Sequence, residues 1–123
     1  IKGRVYAAEI DVDALFAIGV AKPSVNRLPK FPATGRDLAV VVKNNMPAQA
    51  LIEIINANGG QLLKDVQIFD VYEGEQIASG MKSLAFKLTF QAEDRTLTDA
   101  EVNAVYEKIL AELEEKCAAK LRA

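Results

Sequence analysis

The sequence predicts an α+β fold, a ferredoxin-like βαββαβ sandwich in which two helices pack on one face of a four-stranded antiparallel sheet. Three observations carry that prediction. A β-branched run at 38–42 leads directly into a stretch of helical periodicity, two long strand-like segments flank a glycine-containing loop, and a strongly capped helix precedes a short tail. At 123 residues, 50% hydrophobic and 26% charged, the chain has the make-up of one globular domain with a shorter attached segment. A chain of this size hides roughly two-thirds of its unfolded surface, enough for a core without disulfide staples.

The elements follow in order. Arg4 to Ile10 alternates as a short strand would, closed by Asp11-Val12-Asp13 and a stub ending at Phe16, so residues 1–16 read as the tail of a preceding domain. Residues 17–36 hold three of the four prolines, Pro23, Pro29 and Pro32, with little periodicity, and read as an extended connector. The folded domain is placed at 37–123. Leu38 to Val42 is its first strand, ended by Asn44-Asn45. Pro47 suits a first helical turn, Ala48, Leu51, Ile54, Ile55 and Asn58 recur at helical spacing, and Gly59-Gly60 stops the helix.

Leu62 to Glu73 and Met81 to Gln91 read as a long hairpin closed by the loop from Gly74 to Gly80. In the second of these strands Leu84, Phe86, Leu88 and Phe90 share one face and Ser83, Ala85, Lys87 and Thr89 the other, so one face meets the core and the other is small and polar. Thr98-Asp-Ala-Glu101 is a capping box with Leu97 and Val102 as its staple. Val102, Val105, Tyr106, Ile109 and Leu113 form the stripe of the helix it starts, and Glu107, Glu112, Glu114 and Glu115 its outer face. The tail 119–122 supplies a last edge strand.

Composition closes several chemistries. With no histidine and one cysteine, neither a Ser-His-Asp triad nor a histidine or four-cysteine zinc site can form from this chain alone. No phosphate loop is present, and Cys117, without a histidine to activate it, is expected to pack. The acidic pairs Glu93-Asp94 and Glu114-Glu115 lie in a turn and on an exposed helical face. Net charge is −2, yet residues 1–36 carry six basic against three acidic groups, leaving nine against fourteen in the remainder. No run reaches the ~20 apolar residues of a membrane span. Ile1 in place of an initiator methionine suggests a piece of a longer chain.

The polar sheet face holds the candidate site. If Phe69 and Val71 point at the helices, Asp70 and Tyr72 stand on the opposite face beside Ser83. A tyrosine there can stack a nucleobase, worth about 1–3 kcal/mol per base, while Asp and Ser can read Watson-Crick edges. The plainer alternative is a solvated face with one edge tyrosine. By the same parity Val66 and Ile68 fall on the open face, so either a β-bulge shifts the phase near Ile68 or the connector, through Phe31 and Pro32, covers that end. An RRM-type site is excluded because the open positions of the third strand hold Ser83, Ala85 and Lys87 rather than aromatics.

Four strings then matter together: Phe31-Pro-Ala-Thr-Gly-Arg36-Asp37-Leu-Ala39, Phe69-Asp-Val-Tyr-Glu-Gly74, Lys82-Ser-Leu-Ala-Phe86 and Asp94-Arg-Thr-Leu-Thr-Asp-Ala-Glu-Val-Asn103. In this order and spacing they resemble the C-terminal anticodon-binding domain of bacterial phenylalanyl-tRNA synthetase β subunits, over residues 31–123. The resemblance implies a non-catalytic, cytoplasmic module that binds the anticodon of phenylalanine tRNA, with Asp70, Tyr72 and Ser83 on the first anticodon base and Tyr72 stacked on it. Arg36 matches the motif's arginine, and either a phosphate contact or a salt bridge to Asp37 or another carboxylate suits it. The parent implied is an (αβ)₂ assembly using ATP and magnesium, with its catalytic centre on the α subunit; neither a membrane nor DNA is a partner. No cofactor is expected in this chain. Glu73 and Glu75 make the hairpin acidic, which is awkward beside phosphates, and the resemblance implies that most of the grip on tRNA comes from the rest of that assembly. Judged without the resemblance, the runner-up is a ferredoxin-like protein-interaction or small-ligand regulatory module.

Overall fold

A computed structural model describes residues 2–20 and 29–122, so Pro23 and the middle of the expected connector lie outside the described residues. In chain order the elements are α1 (Val12–Ile18), β1 (Thr34–Lys43), α2 (Ala48–Gly59), β2 (Leu63–Tyr72), β3 (Met81–Phe90), α3 (Asp99–Cys117) and β4 (Lys120–Leu121). The strands form one sheet in the order β2-β3-β1-β4, with every neighbouring pair antiparallel. Each helix that covers the sheet therefore links two strands separated by a third. This is the split βαβ plan expected from the sequence.

β1 forms because Leu38, Val40 and Val42 alternate inward and are at most 1% exposed. It is longer than the β-branched run, since Thr34 to Asp37 pair in register with Phe90 to Lys87. In α2, Leu51, Ile55 and Gly59 are buried at a four-residue repeat. Pro47 is its N-cap residue rather than part of its first turn, and Gly60, at φ 59° and ψ −153°, takes a positive-φ conformation open to glycine that ends it. α3 starts at the capping box: the Glu101 amide donates to Thr98 Oγ1 at 3.4 Å and the Thr98 amide to Glu101 Oε2 at 2.9 Å. Both residues of its staple, Leu97 and Val102, are buried.

The core lies between this helical layer and one face of the sheet. Phe86, Phe90, Leu88 and Leu38 meet Leu51, Ile55, Ile109 and Leu113 there, all 0% exposed. Tyr106 joins α3 to β1 by donating its hydroxyl to the Asp37 carbonyl at 3.1 Å. No buried side-chain polar atom among the described residues lacks a partner.

The amino-terminal segment departs from expectation. Residues 2–10 form no strand, and all of them are exposed. Alternation stabilises a strand only where one face is covered and the backbone is paired, and no partner strand for it exists among the described residues. Asp11, read as closing a strand, instead opens α1: its carboxylate accepts from the Ala14 amide at 3.1 Å. The stub expected to end at Phe16 is thus helix, and it runs on through Ile18. At the other end of the expected connector, Thr34 to Arg36 already belong to β1.

Candidate nucleic-acid interface

The site begins with two irregularities in β2. Its pairing with β3 shifts register between Leu63 and Asp65 and again between Ile68 and Asp70. At the second shift Phe69 is the extra residue of a β-bulge. Before it, Val66 and Ile68 oppose Leu88 and Phe86 on the helix side; after it, Asp70 and Tyr72 oppose Ala85 and Ser83 on the open side. The bulge, not a covering connector, therefore resolves the parity conflict. Phe31 is half-buried, with its carbonyl accepting from Gln91 Nε2 at 2.6 Å.

The inward placement expected for Phe69 is overturned. As the bulged residue it has no partner on β3, and it is 59% exposed. Val71 does pair with Leu84 on the helix side, yet at the end of an edge strand it stays 55% exposed.

Three of the four expected site residues come together. Tyr72 lies directly opposite Ser83, and Asp70 is two positions back on the same face. Opposed positions place Cβ atoms about 4.5–5.5 Å apart, so ring, carboxylate and hydroxyl share one patch. The fourth, Arg36, is elsewhere. It pairs with Leu88, hence on the helix side, and its guanidinium donates to Asp99 at 2.6 Å at the start of α3. Of the alternatives open for Arg36, the geometry supplies the ion pair, with Asp99 rather than the adjacent Asp37.

Ser83 is only 3% exposed, although its face carries no helices. Its neighbours explain this. Beyond β4 the chain stays paired, with the Arg122 amide donating to the Ala39 carbonyl at 2.8 Å, so the Arg122 side chain comes across the open face. Its guanidinium carbon is 5.1 Å from the centroid of the Tyr72 ring. One nitrogen reaches Ser83 Oγ at 3.5 Å and the other Gln76 Oε1 at 3.4 Å. A cation over an aromatic ring at an exposed site is worth about 0.5–1 kcal/mol. The tyrosine is also confined by the hairpin, where a Cβ on Gly74 would collide with its phenol oxygen.

Register assigns Lys43, Lys87, Lys120 and Arg122 to the open side with Asp37, Asp65 and Asp70. The patch can thus stack a base, accept from its edge through Asp70 and offer some positive charge to a backbone. Arg122 and Gln76 escaped the sequence reading. Alternation from Lys120 would have put Arg122 on that face, had the pairing of so short a strand with β1 been known.

The remaining candidates behave as surface or core. Glu93 pairs with Lys64 at 3.5 Å, Asp94 with Arg95 at 3.0 Å, and Glu114 and Glu115 are exposed. Cys117 belongs to the core cluster, and burial pushes its thiol above the ordinary value, which disfavours the reactive thiolate. Among the described residues no cluster of acidic or thiol groups could hold a metal, and no helix is long and apolar enough to cross a membrane.

Known sequences match this geometry. The profile of the ferredoxin-fold anticodon binding domain covers residues 29–122. The chain is 49% identical to the phenylalanine–tRNA ligase β subunit of Moorella thermoacetica, over 97% of this chain and 15% of that protein. Against the β subunit of Halalkalibacterium halodurans identity is 48%, over 95% and 14%, and against that of Clostridium tetani 44%, over 97% and 15%. The chain thus spans about one-seventh of the length of these relatives. A βαββαβ sandwich that leaves one sheet face uncovered by helices, together with a profile match running from the residues before β1 to Arg122, places this chain in the ferredoxin-fold anticodon-binding domain family, as a non-catalytic domain of the kind found in phenylalanine–tRNA ligase β subunits.

Proposed function

We propose that this domain binds the anticodon of phenylalanine tRNA on its open sheet face, with Tyr72 stacking the first anticodon base and Asp70 and Ser83 reading that base's edge. The observation that carries the reading is the Phe69 bulge, which brings Asp70 and Tyr72 into phase with Ser83. Stacking gives affinity and tolerates any base, whereas a carboxylate beside a hydroxyl selects for hydrogen-bond donors on the base edge. Arg36 serves the fold through Asp99 in this reading and is not part of the base pocket.

The whole ligase to which such a domain belongs attaches phenylalanine to tRNA at the expense of ATP with magnesium, in the cytoplasm. We place its catalytic centre on the α subunit of an (αβ)₂ assembly, far from this face, with the residues through α1 as the tail of the preceding domain and those between α1 and β1 as the connector. Division of labour is consistent with a chain that lacks histidine altogether.

The test uses the complete ligase. Tyr72→Ala lowers kcat/KM for aminoacylation of phenylalanine tRNA by roughly 5- to 150-fold, the loss of one stacked base. Phenylalanine activation measured without tRNA stays unchanged. An aminoacylation rate equal to that of the unaltered enzyme would sink the stacking role.

A further inference from the structure

We infer that Arg122 is a placeholder for the stacked base: its guanidinium covers the Tyr72 ring in the free domain, yields that ring face to the incoming base, and then pairs with a neighbouring phosphate. The inference rests on the anticodon reading above and adds the group that must move for it to operate.

A base that takes the ring face under Arg122 requires an exchange. The guanidinium carbon stands 5.1 Å from the ring centroid, too close to leave room for a base between the two, and a Cβ on Gly74 would collide with the phenol oxygen. Stacking on this face of Tyr72 therefore displaces Arg122. The hold on Arg122 is weak enough to release. Its two hydrogen bonds, at 3.5 Å to Ser83 and 3.4 Å to Gln76, are long, and Gln76 is exposed. Tyr72 is half-buried, so the cation contact gives way to a stacked base of comparable strength, and the phosphate that the freed guanidinium gains tips the exchange toward the base.

Release does not lose the side chain. The Arg122 amide remains fixed to the Ala39 carbonyl at 2.8 Å, so the freed guanidinium swings within reach of the same patch. Asp70 shares the face with Tyr72, and Glu73 and Glu75 flank that ring and Gln76 in the chain, a negative charge that would repel a nucleotide backbone. A planar, permanently charged fork suits a phosphate there, and its displacement from the ring makes it available at the moment the nucleotide arrives. Until then the same fork keeps the ring oriented and the Ser83 hydroxyl sheltered.

Salt dependence of tRNA binding by the complete ligase is the decisive measurement, because each phosphate neutralised beside a single strand adds about 0.7 to the slope of log affinity against log salt. Arg122→Gln is expected to flatten that slope by about 0.7 and weaken binding by up to about fivefold, whereas Arg122→Lys keeps the slope. Phenylalanine tRNA made abasic at the first anticodon position leaves Arg122 on its ring, so the unaltered enzyme should show the flattened slope with it and Arg122→Gln should change nothing further. Tighter binding by Arg122→Gln, or an unchanged slope, would overturn the phosphate contact, and a full slope on the abasic tRNA would overturn the exchange. If Tyr72→Ala weakens binding while Arg122→Gln does not, only this inference fails; if neither changes binding, the anticodon reading fails with it.

Discussion

The two faces of the sheet are made by the same strands, yet they bury their residues by different means. On the helix side Leu38, Val40, Phe86, Leu88 and Phe90 are shut off by α2 and α3, in one buried apolar cluster. On the open side Ser83 and Ala85 are also nearly inaccessible, at 3% and 8%, but what stands beside Ser83 is a half-buried tyrosine and an arginine reaching over from the strand end. Burial under helices requires secondary structure to come apart before it is undone. Burial under two side chains is undone by rotating them, and this is what a surface needs if a ligand is to take their place.

Three substitutions and one deletion sharpen or break this contrast. The largest effect is expected from Phe86→Ala, which removes a wholly buried ring and should destabilise the domain by about 3–5 kcal/mol in a denaturant titration. Thr98→Ala removes the cap that fixes α3 over the helix side and should cost about 1 kcal/mol, read the same way. Tyr72→Ala, so damaging to aminoacylation in the proposed function, should lower stability by only about 1 kcal/mol, because it forfeits a half-buried cation contact and no part of the helix-side core. A loss as large as that for Phe86→Ala would mean that the open face is a second core, and the contrast would collapse. Deleting Phe69 should be tolerated at about 1 kcal/mol, since Ile68 and Asp70 then alternate regularly and Tyr72 stays opposite Ser83. Failure of that deletion to keep tRNA affinity would show that the bulge supplies more than phase.

Acid gives a finer probe of the helix side. The Glu101 carboxyl is held down to about 2 from an ordinary 4.5, first by the Thr98 amide and then by Arg95 and the Thr98 hydroxyl. A carboxyl lowered in the folded state stabilises above its ordinary pKa, and that contribution is lost as pH falls from 4.5 toward 2. Thermal unfolding followed across this window should show a smaller acid-induced drop in Glu101→Gln than in the unaltered chain. The group is exposed, so the effect is expected to be the smallest of the set.

Much of the site was legible because it depends on period-two alternation within one strand. Ser83 on the open face needs nothing beyond the pattern of Leu84, Phe86 and Leu88. Asp70 and Tyr72 needed a bulge that sequence could suspect near Ile68 but could not choose over a covering connector, since a bulge is the joint outcome of two strands competing for one register. The amino-terminal alternation misled for a related reason. Val5 to Ile10 has the pattern of a strand without a partner, and Asp11, a good N-cap, turned the following residues into helix.

By itself the sequence determined the order βαββαβ, the cap of α3, the apolar face of β3 and the absence of histidine chemistry. These are local matters, set by periodicity, capping and composition within a few residues. Only the tertiary structure decided that Arg36 belongs to Asp99, that Phe69 is expelled into solvent, and that Arg122 lies over Tyr72. Arg36 and Asp99 are 63 positions apart, and Arg122 and Ser83 are 39 apart. Contacts at such separations depend on which strands are neighbours and in what register, and that is settled by burying the whole core at once rather than by any segment alone.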